Sequence, residues 1–142
     1  RILRLCNVLG SQDKKVSKKK NALQYMINQL KNNEDIKLYD GGNVYRDYLH
    51  VDDVVDAINV ILEKGDINTI YNIGSGNKSY LCEIINYAHK KINSTSNIES
   101  IPPAEFHNIV QTKDMVLDVT KLTNLGFQSK YTIYDILDSL IE

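Results

Sequence analysis

Apolar residues recur along this chain at two spacings, and the two alternate from one end to the other. Ile2 to Val8 is a run rich in strand-forming side chains, and it stops at Leu9-Gly10-Ser11. Polar Gln12 to Lys20 reads as a loop. Leu23, Met26, Ile27 and Leu30 then fall at i, i+3, i+4 and i+7, the spacing of one helix face. Ile36 to Tyr39 is a short strand closed by the turn Asp40-Gly41-Gly42-Asn43, and Val44 to Val51 is another. Asp52 or Asp53 opens the next helix, which turns Val54, Ile58, Ile61 and Leu62 toward a core and ends before Gly65. Thr69 to Ile73 is again strand, ended by Gly74-Ser75-Gly76.

Ser79 is the expected N-cap of a helix whose Leu81, Ile84, Ile85, Ala88 and Ile92 share a face. Asn93 to Asn97 is loop, and Pro102-Pro103 cannot take part in regular ladder pairing. Met115 to Asp118 reads as a short strand, followed by a brief helix from Thr120 to Leu125 that Gly126 closes. Thr132 and Asp135 have capping-box spacing ahead of Ile133, Ile136, Leu137, Leu140 and Ile141. Strands that alternate with helices place the chain in the α/β class.

Composition narrows the functional classes. A length of 142 residues suits one domain or part of a larger one, with 42% hydrophobic and 25% charged residues. The 17 basic and 18 acidic residues leave a net charge of −1, so charge gives no case for nucleic acid or membrane as a partner. No apolar run approaches the ~20 residues a membrane span needs. Cys6 and Cys82 sit in apolar periodic segments and read as buried free thiols of a cytoplasmic protein. The chain starts at Arg1 inside a strand-like run, which carries the expectation that upstream sequence is missing.

The densest chemistry lies in Tyr45-Arg46-Asp47-Tyr48-Leu49-His50-Val51-Asp52-Asp53-Val54. Arg46 is a planar, permanently charged fork that suits a diphosphate, and Tyr48 shares its face of the strand. A surface ion pair between Arg46 and Asp47 is the simpler reading of the same residues. His50, Asp52 and Asp53 are metal-ligand types, but no second cluster completes a site, and the aspartates read as helix caps. Lys14, Lys15, Lys18, Lys19 and Lys20 read as a solvated loop. Gly74-Ser75-Gly76 lacks the third glycine and the later acidic residue of a dinucleotide-binding turn. Cys6 has only Arg4 as a basic neighbour and reads as core.

Four segments together resemble the extended short-chain dehydrogenase/reductases, the superfamily that holds UDP-galactose 4-epimerase. Arg46 to Asp53 is similar to its R-D-[YF]-[ILV]-H-V-x-D segment. Arg4-Leu5-Cys6-Asn7-Val8-Leu9-Gly10 resembles R-x-x-N-[VP]-x-G, and Tyr71 to Gly76 resembles Y-N-[LIV]-G-[ST]-G. Asp118 to Phe127 resembles D-x-[ST]-K-x-x-x-x-L-G-[WF], with one residue fewer between Lys121 and Leu125. The four fall in order and span almost the whole chain.

The resemblance implies an α/β fold made of a remnant of a Rossmann-type parallel sheet plus the smaller substrate-binding lobe. Residues 1–13 and 52–78 would belong to the NAD(P)-binding sheet, and residues 14–51 and 79–142 to the lobe. It implies the substrate-binding part of a nucleotide-sugar 4-epimerase or 4,6-dehydratase. A 4-reductase and a non-catalytic nucleotide-sugar or cofactor sensor are the alternatives. Asn7 would reach the sugar or its diphosphate, Arg46 would clamp the diphosphate, and Tyr48 would work beside it. Tyr39 would lie against the nucleotide base, and Asn21 would touch the substrate from a helix start.

NAD or NADP would be bound by the full-length parent, a homodimer, through a Gly-rich turn and a Tyr-x-x-x-Lys pair upstream. This chain is expected to bind no cofactor and to be inactive alone, because Tyr87-Ala-His-Lys90 puts its lysine one residue short. Two departures leave room for the reductase. The family's R-P-G-D arginine falls near Asn108 and its aspartate near Gln111, with Lys113 only a point charge. Its Tyr-Gly-Pro is Leu9-Gly10-Ser11 here. The resemblance also predicts that the Ile2–Val8 and Thr69–Ile73 strands run parallel, with the helix from Asp53 to Lys64 packed on them. The strand edge left uncovered should make the chain marginally stable or self-associating.

Overall fold

A computed structural model of the chain describes residues 1–11, 21–103 and 114–142. The first apolar run forms two strands, β1 (Ile2–Leu5) and β2 (Asn7–Leu9), because its halves take different partners. β1 lies parallel to β6 (Ile70–Ile73), with Ile2 opposite Ile70 and Leu5 opposite Ile73. β2 lies parallel to β5 (Tyr48–His50), with Asn7 opposite Tyr48 and Leu9 opposite His50. Cys6 carries the ladder across the switch by donating its amide to the Ile73 carbonyl at 2.9 Å. The expected parallel pairing of the first run with the 69–73 strand is observed.

Helix α2 (Val51–Lys64) connects β5 to β6 and packs on both ladders. Its Val54, Ala57 and Ile61 bury against Cys6, Leu49, Tyr71, Ile73, Leu122 and Phe127. A fully buried Val or Ile contributes about 1.5–3 kcal/mol by leaving water. A second core joins α1 (Ala22–Lys31), β3 (Ile36–Tyr39), α3 (Leu81–Ile92) and α5 (Ile133–Ile141) through Leu23, Ile27, Leu30, Ile36, Ile84, Ile85, Ile136 and Leu137. There β3 runs parallel to β8 (Ile98–Ile101), with Tyr39 opposite Ile101. Side chains alternate along β2 and β5, so Val8 and Leu49 face the first core while Leu9 and Tyr48 face the second. The β2–β5 ladder thus stands between the two.

Several local expectations hold. The capping box of α5 is present: the Thr132 hydroxyl accepts from the Asp135 amide at 3.2 Å, and the Asp135 carboxylate accepts from the Thr132 amide at 2.8 Å. A brief helix, α4 (Thr120–Asn124), follows the Asp118 turn. Others are corrected. The 44–51 strand is broken at Asp47 into β4 (Tyr45–Arg46) and β5, because β4 pairs antiparallel with β7 (Ser79–Tyr80). Ser79 is therefore a ladder residue opposite Arg46, and Tyr80 precedes α3 without a side-chain cap.

Neither aspartate caps α2. His50 does so, accepting the Asp52 amide on Nδ1 at 3.2 Å; a nitrogen that accepts there cannot also donate to the Asp52 carboxylate 3.5 Å away. Asp53 is instead fully buried on the core side and accepts from the Lys130 and Tyr131 amides at 3.0 and 3.2 Å. The buried stripe is thereby centred on Asp53, Val54, Ala57 and Ile61, and Leu62, expected in the core, is 61% exposed. Cys6 is buried as expected, but Cys82 is only half-buried. The lysines at 14, 15, 18, 19 and 20, together with Asn108, Gln111 and Lys113, lie outside the described residues. No described helix is long and apolar enough to cross a membrane.

Candidate functional site

The break between β4 and β5 puts three candidate residues together. Arg46 pairs with Ser79 on one side, and an isolated parallel bridge joins it to Met115 on the other. Its guanidinium Nη1 donates to the Tyr45 carbonyl at 2.9 Å. Tyr48, two positions on, lies in register with Asn7 across the parallel ladder. Burial pushes the Tyr48 hydroxyl up to about 12, and the Arg46 charge pulls it part of the way back. Tyr48 is therefore a neutral hydrogen-bonding group at physiological pH and not a base.

Asn7 donates its Nδ2 to the Asp47 carbonyl at 3.0 Å, which fixes its amide plane beside the break. Asn21 is the N-cap of α1: its Oδ1 accepts from the Gln24 amide at 3.3 Å and its Nδ2 donates to the Val8 carbonyl at 3.4 Å. The start of α1 is thus hung on β2 next to Asn7. Asn7, Asn21, Arg46 and Tyr48 gather around the β2–β5 ladder. Tyr39 belongs to a different ladder, at the end of β3, with its side 36% exposed.

Asp47 is the residue that sequence reasoning missed. It is completely buried and forms no surface pair with Arg46, since consecutive side chains of an extended chain point to opposite faces. Its Oδ1 accepts from the Ser75 amide at 2.9 Å and the Ser75 hydroxyl at 2.6 Å. Its Oδ2 accepts from the Gly76 amide at 3.2 Å and the Leu117 amide at 3.3 Å. Gly74 passes so close to this carboxylate that a Cβ there would collide with Oδ2. The signal was present in two separate segments, Arg46-Asp47-Tyr48 and Gly74-Ser75-Gly76, but spacing alone does not show that they meet.

The same contacts decide whether the 74–76 turn could hold a dinucleotide phosphate. Its Ser75 and Gly76 amides already point at a carboxylate, which would also repel an anion. These residues do not fit NAD or NADP. Among the described residues no three His, Cys, Asp or Glu side chains gather as metal ligands.

The Tyr-x-x-x-Lys spacing does occur, at Tyr87 and Lys91, contrary to the expectation that the lysine falls short at Lys90. Both side chains close on Asp138, the hydroxyl at 2.8 Å and the ammonium at 2.9 Å. The hydrogen bond to Asp138 raises the Tyr87 hydroxyl above its ordinary value, where a proton-abstracting tyrosine needs the reverse. The trio fastens α3 to α5, with the Tyr134 ring 4.8 Å from that of Tyr87.

Cavities also open among the described residues. One of about 280 Å³ is lined by Gly74, Ser75, Val119, Thr123, Phe127, Gln128 and Ser129. Another, about 210 Å³, lies between α1 and α5 and is lined in part by Gln24, Ile27 and Leu140. Neither is lined by Asn7, Arg46 or Tyr48.

Comparison with known proteins agrees with this architecture. Residues 1–74 match the family described as the NAD dependent epimerase/dehydratase family. An ADP-L-glycero-D-manno-heptose-6-epimerase of Brachyspira hyodysenteriae is 30% identical over 130 residues, 91% of this chain and 41% of the relative. A dTDP-4-dehydro-6-deoxyglucose reductase of Escherichia coli is 26% identical over 141 residues, 99% of this chain and 43% of the relative. Among solved structures, the UDP-glucose 4-epimerase of Thermotoga maritima with UDP-glucose superposes with a TM-score of 0.84 at 25% identity, covering 98% of this chain and 43% of that one. The dTDP-glucose 4,6-dehydratase of Bacillus anthracis, in complex with NAD, gives 0.79 at 25% identity, covering 98% and 42%. The chain thus spans about two fifths of the length of these relatives. With a parallel Rossmann-type ladder, a neighbouring α/β lobe and a family match over more than half its length, the chain belongs to the NAD dependent epimerase/dehydratase family.

Proposed function

We propose that this chain is the substrate-binding part of an NAD(P)-dependent nucleotide-sugar 4-epimerase or 4,6-dehydratase. The observation that carries the reading is the grouping of Asn7 and Tyr48, paired on the β2–β5 ladder, with Arg46 at the end of β4 immediately before it. Arg46 clamps the diphosphate through charge-assisted hydrogen bonds, and the neutral Tyr48 hydroxyl donates beside it. Asn7, with Nδ2 committed to Asp47, accepts from a sugar hydroxyl through Oδ1. Asn21, fastened to the Val8 carbonyl, meets the substrate from the start of α1, and Tyr39 packs against the base.

The family resemblance divides the chain into a cofactor-sheet part, residues 1–13 and 52–78, and a substrate lobe, residues 14–51 and 79–142; the two cores cross that division, since Leu49, Leu122 and Phe127 pack with α2 and Leu9 packs with α1 and α3. In this reading NAD or NADP, which supplies hydride transfer at the sugar when bound, is held by residues of the whole protein outside this chain. The chain by itself is inactive and binds no dinucleotide. A 4-reductase is the second reading, favoured by the reductase relative that aligns along 99% of the chain.

Calorimetric titration tests the proposal. UDP-glucose and dTDP-glucose should bind, while glucose 1-phosphate, which lacks the nucleoside diphosphate, should bind far more weakly. Arg46→Lys should weaken the sugar nucleotides by about 1.5–3 kcal/mol. Equal affinity for all three ligands, or no effect of Arg46→Lys, would overturn it. Tighter binding of a 4-keto sugar nucleotide than of its 4-hydroxy counterpart would favour the reductase.

A further inference from the structure

We infer that Asp47 is the positioning residue of this site: its buried carboxylate holds the Arg46–Tyr48 step in the geometry that meets a nucleoside diphosphate. The identity of the ligand rests on the nucleotide-sugar reading above; the positioning does not. Asp47 is the only residue between β4 and β5, the point where pairing passes from β7 to β2. Its carboxylate takes four hydrogen bonds, from Ser75 (amide and hydroxyl), Gly76 and Leu117. Its carbonyl takes two more, from the Asn7 amide at 3.2 Å and Asn7 Nδ2 at 3.0 Å. One residue therefore ties the site to the start of β2, to the 74–76 turn and to the 117 segment.

The tether is made entirely of neutral donors around one buried charge. All four donors to the carboxylate are neutral, and no salt bridge among the described residues includes Asp47. A carboxylate buried without a cation is costly, and an apolar or hydroxylic residue would continue the strand at less expense. What the carboxylate supplies is a fixed point with four acceptor directions. Arg46 and Tyr48 flank that point directly, so its anchoring decides where both side chains are presented. Asparagine in its place would turn an NH₂ toward backbone amides that need an acceptor.

Asp53 provides an internal control. It too is completely buried and accepts two backbone amides, those of Lys130 and Tyr131, but it flanks none of the ligand-facing residues. The experiment compares the ¹⁵N-labelled full chain with Asp47→Asn and Asp53→Asn, using UDP as the probe. In Asp47→Asn the Arg46 Nε–H order parameter should fall, the Tyr48, Ser75 and Leu117 amides should shift, and UDP affinity should drop by about tenfold or more. Asp53→Asn should lower the melting temperature yet leave Arg46 order and UDP affinity as in the wild type.

A lower melting temperature in Asp47→Asn with unchanged Arg46 order and UDP affinity would overturn the inference, since Asp47 would then be structural only. An equal loss of UDP affinity in Asp53→Asn would overturn it as well, as a sign of general loosening. If the wild-type chain fails to bind UDP, the nucleotide reading alone falls, and the Arg46 and Tyr48 signals still judge the positioning. If Asp47→Asn does not fold, Ser75→Ala removes one of the four carboxylate bonds and should move the Arg46 signal in the same direction. An unmoved Arg46 in that variant would overturn the inference.

Discussion

Asn7 lies directly opposite Tyr48 across the parallel β2–β5 ladder, and its side-chain amide reaches past the register partner to the Asp47 carbonyl at 3.0 Å. The asparagine thus contributes to the fold and to the proposed site through different atoms. Asn7→Leu keeps the side-chain shape and removes the hydrogen bond. It should destabilise the chain by about 1 kcal/mol, the ordinary net worth of one such bond. A shifted denaturation midpoint with an unchanged slope would show this; an unshifted midpoint would mean that the bond is not maintained in solution.

Gly74 is required by the closeness of Asp47. A Cβ at this position meets the buried Oδ2, and neither the strand end nor the four-bonded carboxylate can give way without losing hydrogen bonds. Gly74→Ala should cost about 1–3 kcal/mol, the usual range for overpacking a filled site. Thermal melts of the two proteins measure it, and equal melting temperatures would show that the turn relaxes freely.

Much of the fold was legible because hydrophobic period and chain order determine it. The parallel partnership of the Ile2–Val8 run with the 69–73 strand, the Leu23/Ile27/Leu30 stripe and the Thr132–Asp135 capping box all emerged as expected. What escaped was polar and non-local. Asp47 looked like a surface partner of Arg46 because the acceptor directions it satisfies come from residues 28 to 70 positions away. Asp53 displaced Leu62 from the core face in the same way, by a contact 77 positions distant. At the proposed site, Arg46 and Tyr48 were singled out through the family motif, whereas the position of Tyr39 on a separate ladder depends on the β3–β8 pairing, which no spacing in the sequence announces.

The two thiols should differ in reactivity. Burial, and after it the Asp47 charge, pushes the Cys6 thiol up to about 12, so little thiolate forms at neutral pH. Cys82 is half-buried at the start of α3. Iodoacetamide at about pH 8 should alkylate Cys82 first and Cys6 only on unfolding, since the thiolate is the nucleophile. Peptide mass mapping over a time course reads the order. Early labelling of Cys6 would contradict the packing of β1 and β2 against α2.

Acid and alkali should each weaken the attachment of α5. The Asp138 carboxyl is held below its ordinary value by Lys91 first and Tyr87 second, and that of Asp135 by the Thr132 hydroxyl. A folded pKa that is depressed contributes stability above the unfolded value, about 3.9 for Asp, and loses it as pH falls through the folded one. Asp138 raises Lys91, whose contribution is full below the unfolded value of about 10.4 and is lost as pH rises through the folded one. Melting temperature should therefore fall at both extremes, and Asp138→Asn should flatten both slopes. Parallel profiles for the two proteins would show that the trio adds nothing to stability.

The central claim is that the β2–β5 ladder, with Arg46 at its head, receives the diphosphate of a sugar nucleotide. Chemical-shift mapping with UDP-glucose on the ¹⁵N-labelled chain tests it most directly. The account predicts saturable shifts at the Asn7 and Tyr48 amides, the Asn7 side-chain amide and the Arg46 Nε–H. It also predicts that the apparent Kd rises about tenfold or more in Arg46→Lys, where a point charge replaces the fork. Saturable shifts confined to the cavity around Val119, Thr123 and Phe127, or no shifts at all with a folded spectrum, would contradict it.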